Sequence, residues 1–119
     1  MESLLEIARK THRWAISNRG YFPPDLRGMC AIASHKLSQN LSKHRIPHRI
    51  AVTDQHVWIE SYGLCIDITA TQFGLNPVVI LPKDQYISVL NMNQPVLFRS
   101  IDKCRQFLIK SSWYFDQIP

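Results

Sequence analysis

The 119 residues allow one compact core and no independent second domain, so the chain is read as a single domain over 1–119. Apolar residues make up 45% and charged residues 19%, which excludes a disordered polyelectrolyte; the longest apolar run, Met29 to Ala33, is too short to cross a bilayer. The net charge of +5 favours acidic partners without naming one, and the start from Met1 to Glu6 lacks an export signal's basic-then-apolar pattern, so a cytoplasmic protein is expected.

Residues 3–17 carry apolar side chains at 4, 5, 7, 8, 14, 15 and 16, and Ser3 with Glu6 has the capping-box spacing, which predicts an amphipathic first helix. Asn18-Arg19-Gly20 ends it, and Phe22-Pro23-Pro24-Asp25 makes a stiff loop. A second helix is expected from about Gly28 to His44, with Ala33, Leu37 and Leu41 on one face, and Pro47 marks the change to extended chain. Strands are expected at 49–53, 56–60, 64–68, 78–81 and 95–98, followed by a closing helix over 100–112. That order predicts an α+β fold: N-terminal helices packed on a small antiparallel sheet, with a C-terminal helix.

Ser61-Tyr62-Gly63-Leu64 carries the turn signal between the second and third strands. Pairing Ser61 with Leu64 places Trp58 opposite Asp67. His56, Trp58, Glu60, Cys65 and Asp67 then share one face, and Val57, Ile59, Leu64, Ile66 and Ile68 share the other, which is uniformly apolar. A one-residue slip would mix the two sets, so the pattern itself selects the register. In that register His56 and Asp67 are diagonal neighbours, about 7–8 Å apart at the backbone and within side-chain reach.

The three cysteines, at 30, 65 and 104, form no Cys-x-x-Cys pair and are expected to be free thiols. Cys65, between Leu64 and Ile66, and Cys104, on the apolar side of its expected helix, read as packing residues. Cys30 differs, because it follows Arg27-Gly28-Met29 at the start of the second helix. A thiol of ordinary pKa, about 8.5, is mostly protonated at neutral pH; a helix N-terminus and an adjacent imidazolium both favour its anion. Asp67, between two isoleucines, needs a partner if buried, and by accepting from one nitrogen of His56 it leaves the other for sulfur. Cys30, His56 and Asp67 therefore read as nucleophile, base and orienter of an acyl-transfer site, with the backbone N–H of Cys30 as an oxyanion donor. Gly28 and Met29 are the substrate-binding candidates, since a glycine admits a substrate backbone, and Trp58 reads as core or cleft wall. No cofactor or metal is implied: His-Glu-x-x-His does not occur, and Pro47 separates His44 from His48.

Gly28-Met29-Cys30, His56-Val57-Trp58-Ile59-Glu60 and Ile66-Asp67-Ile68-Thr69 resemble, in order and in expected element, the signature of the transglutaminase-like branch of the papain-like cysteine-enzyme superfamily. The resemblance covers roughly residues 25 to 74, and small members include bacterial leader peptidases. It implies a papain-like fold and amide or thioester chemistry through a Cys30 acyl intermediate: peptide hydrolysis, glutamine deamidation or transamidation. The chain lacks an aromatic residue beside the cysteine. Gln55 and Gln72, by polarity and position, are further oxyanion candidates, with a surface role open for both and a turn role open for Gln72.

The expected partner is a peptide or protein substrate, with a second protein supplying specificity as a further option. Two other readings stand beside the enzyme: a catalytically silent binding or inhibitor module on the same fold, and a basic nucleic-acid-binding domain using Lys36, Lys43, Arg45 and Arg49. Nucleic acid is the less favoured partner, because aromatic residues are hardly interleaved with those charges.

Overall fold

Ser3 starts the first helix by accepting a hydrogen bond from the Glu6 N–H at 3.2 Å and donating to Glu6 Oε1 at 3.1 Å. Helix α1 runs Leu4–Ser17 and ends at Asn18, two residues before Gly20 in the left-handed region. The computed structural model describes residues 3–100 and 102–104. Helix α2 is Cys30–Lys43, so it begins two residues later than expected; Gly28, at φ +87°, cannot belong to a right-handed helix.

Five strands follow, β1 (Arg49–Val52), β2 (Val57–Ser61), β3 (Leu64–Asp67), β4 (Val79–Pro82) and β5 (Val96–Phe98). They form one antiparallel sheet in the order β4-β3-β2-β1-β5. The β2–β3 register pairs Ser61 with Leu64 and Ile59 with Ile66, the register the apolar pattern selects. Tyr62 and Gly63 both have positive φ, +53° and +74°, as a two-residue type I′ turn requires.

One face of the sheet meets the two long helices. Ile50, Val52, Val57, Ile59 and Ile66 pack there with Ile7 and Ala15 of α1 and Ala33, Leu37 and Leu41 of α2. The other face carries a helix that the sequence pattern did not reveal, α3 (Lys83–Leu90), whose Tyr86 and Ile87 cover Ala51, Trp58 and Cys65. The simple order of helices, sheet and closing helix is therefore corrected: α3 interrupts the sheet between β4 and β5. Because it buries the face that looked polar, every residue of β2 is buried. A short 3-10 turn, Ala70–Phe73, follows β3. Of the closing helix expected over 100–112, residues 102–104 are helical, and 101 and 105–112 lie outside the described residues. No helix among the described residues is long and apolar enough to cross a membrane.

Candidate active site

The β1–β2 connection presents His56. Thr53 Oγ1 accepts from the backbone N–H of Gln55 (3.1 Å) and of His56 (3.0 Å), while the Thr53 N–H donates to the His56 carbonyl at 2.9 Å. This Ser/Thr-type turn holds the histidine at the mouth of β2. One turn into α2, Ser34 Oγ donates to the Val57 carbonyl at 3.3 Å, tying the Cys30 helix to the residue after His56.

His56 is fully buried, and its Nε2–H donates to Asp67 Oδ2 at 2.6 Å. The ring lies near Trp58, with centroids 5.7 Å apart and planes at 28°, and takes the edge of Phe73 at 4.8 Å. Nδ1 is the ring nitrogen left over: it is buried and lacks a partner in good hydrogen-bond geometry. The Cys30 thiol is among the groups that favour the protonated ring.

Asp67 is bonded on both oxygens. Oδ2 also accepts from the Tyr86 hydroxyl, while Oδ1 accepts from the Thr69 N–H at 2.8 Å and Thr69 Oγ1 at 3.2 Å. Burial works against ionisation of this carboxyl, but the His56 charge and these donors outweigh it and hold the pKa below the ordinary aspartate value. Burial likewise pulls His56 down, and the facing Asp67 charge, its hydrogen bond and the Cys30 thiol override it, raising the imidazole to about 10. The Tyr86 hydroxyl is driven far up, first by burial and then by the Asp67 charge, so it stays a donor. The site therefore holds an imidazolium–carboxylate pair closed to water.

Cys30 is the first residue of α2, and the Met29 N-cap gives no side-chain hydrogen bond to the helix start. No acidic residue occupies the first turn, so the positive end of the helix is not neutralised locally. Cys30 exposes only 2% of its surface. The loop before it is pinned at several points: the Arg27 N–H and Nε bond the Asp25 carboxylate, and Thr71 Oγ1 of the 3-10 turn donates to the Asp25 carbonyl at 2.9 Å. Leu26, buried at φ +65°, takes a left-handed conformation that leucine adopts only when its surroundings enforce it.

The other expected site residues divide. Trp58 is buried beside His56, and Met29 lines a cleft of about 600 Å³ with Trp14, Phe22 and Ile32. The open side of Gly28 is taken by Phe22, whose ring stands 3.0 Å from where a Cβ would be. Gln55 is exposed, and the Gln72 carboxamide donates to the Thr69 carbonyl and hydroxyl at 2.9 and 3.2 Å, within its own turn. Of the four cations considered for nucleic acid, Lys36 and Lys43 line a groove of about 730 Å³ with Arg99, while Arg45 and Arg49 lie outside it. Thr53, Thr69, Phe73 and Tyr86 were not legible as site residues. Two of them carried a local signal: Thr53, three positions before the histidine, that of a Ser/Thr turn, and Thr69, two positions after the aspartate, that of an Asx turn.

No family model matches the chain, and comparisons with curated proteins and with solved structures find no match either.

Proposed function

We propose that the protein is a cysteine-dependent amide hydrolase or acyltransferase with the architecture of the transglutaminase-like branch. The observation that carries this reading is the buried His56–Asp67 bond, which occupies one ring nitrogen and leaves the other buried and unpartnered. In the proposed reaction Cys30 first loses its S–H proton to water and reacts as a thiolate beside the His56 imidazolium. The sulfur bonds to the substrate carbonyl carbon, and the carbonyl π pair moves onto oxygen near the first amides of α2. His56 passes its Nδ1 proton to the leaving amine as the C–N bond breaks, which gives a thioester. Water, or an acceptor amine, then loses a proton to His56 as it attacks, and the sulfur leaves. Asp67 keeps the ring in the tautomer that this shuttle needs.

The near-complete burial of Cys30 favours a second reading, a silent binding module on the same fold. Alkylation separates them. Iodoacetamide is expected to modify Cys30, located by peptide mass spectrometry, far faster than Cys65 or Cys104, which burial pushes up to about 12. His56→Ala should slow it at least about tenfold at pH 7. Equal, slow labelling of all three thiols that ignores His56 would leave only the binding module.

A further inference from the structure

One side of α1 carries Arg9, His12 and Arg13, at the three- and four-residue spacing that aligns side chains on a helix. Asn76, just before β4, joins them in lining a depression of about 380 Å³. Leu5, Pro77 and Val78 form its apolar wall. No carboxylate lines it among the described residues, where neither guanidinium has an ion pair or hydrogen bond. His12 is anchored differently: its Nδ1–H donates at 2.9 Å to the carbonyl of Ile68, which leaves Nε2 as its free ring nitrogen.

We propose that this depression binds a small phosphate monoester. Two permanent cations with forked donors and a carboxamide suit a dianion with three terminal oxygens better than a single carboxylate, which one guanidinium satisfies alone, and His12 Nε2 becomes a further donor when the ring takes a second proton. The apolar wall suits the organic substituent of the ester. At about 380 Å³ the space lies at the small end of ligand pockets, the size of a free metabolite rather than a nucleic-acid strand. A solvated basic face is the commoner reason for such a helix. Here the concave shape, the apolar wall and the anchored histidine distinguish a site from a charged surface. The proposal is independent of any reaction at Cys30.

Phenyl phosphate and inorganic phosphate are each titrated into the 15N-labelled full chain at constant ionic strength, with chloride as reference. Saturable shifts centred on Arg9, His12, Arg13 and Asn76 are expected, with phenyl phosphate about tenfold tighter through burial of its ring. The double variant Arg9→Gln, Arg13→Gln should bind at least about tenfold more weakly, and Cys30→Ser should bind as the parent does. Both arginines are exposed, so the double variant should keep the parent's circular dichroism; Asn76→Leu gives a second, independent loss. Non-saturating shifts, or shifts undiminished in these variants, would overturn the site. Equal affinity for the two anions would overturn the assignment to an ester.

Discussion

His56 and Asp67 make the stability of this protein depend on pH in a way that can be dissected residue by residue. Between the ordinary imidazole value of 6.5 and the folded value of about 10, the folded chain holds a proton that the unfolded chain has released. The contribution of His56 is therefore complete below 6.5 and is lost as pH rises toward 10. Asp67 behaves oppositely: its carboxyl is held below 3.8, so its contribution is present above that value and is lost as pH falls through the lowered one. Melting temperature should peak between about pH 5 and 6.5 and decline on both sides, as calorimetry across pH can check. His56→Gln should flatten the decline between about pH 6.5 and 9, below the range in which the buried thiols add their own loss. Asp67→Asn removes the charge that keeps the buried His56 protonated, breaks the buried pair and should cost about 3–5 kcal/mol in urea unfolding. Tyr86→Phe removes one donor to the carboxylate and should cost about 1.5–3 kcal/mol.

At the scale of elements, the β2–β3 hairpin was legible because the apolar alternation of Val57, Ile59, Leu64 and Ile66 tolerates one register only. Tyr62-Gly63 is a weak turn signal, and it was the sheet that decided the turn. Tyrosine at φ +53° is poorly suited to that position, and its side chain is 74% exposed with little packing to lose. Tyr62→Asn should therefore stabilise the protein by a few tenths to about 1 kcal/mol, read as a higher urea midpoint at unchanged slope. Helix α3 was not legible for the converse reason. It has eight residues, β-branched Ile87 and Val89, and no side-chain N-cap, so neither propensity nor period marks it. Its C-terminal sign, Asn91 in the left-handed region, becomes informative only beside Tyr86 and Ile87 buried on the sheet.

Across the whole molecule, the candidate site draws on both layers. Cys30 comes from the helices on one face, and Tyr86, which braces Asp67, comes from the helix on the other. The pairing of His56 with Asp67 could be read from strand geometry alone, whereas the braces could not, because they belong to segments that the sheet brings together only after folding. The bond from Thr71 Oγ1 to the Asp25 carbonyl spans 46 positions and joins the loop before Cys30 to the turn after Asp67. A contact of such separation closes a long loop for a small gain, so it belongs on the native side of the folding barrier. We predict that Thr71→Val raises the unfolding rate about fivefold and leaves refolding unchanged in stopped-flow measurements. A chain with its sheet already formed would then still carry an unset thiol loop, and competence at Cys30 would arrive as the last event of maturation.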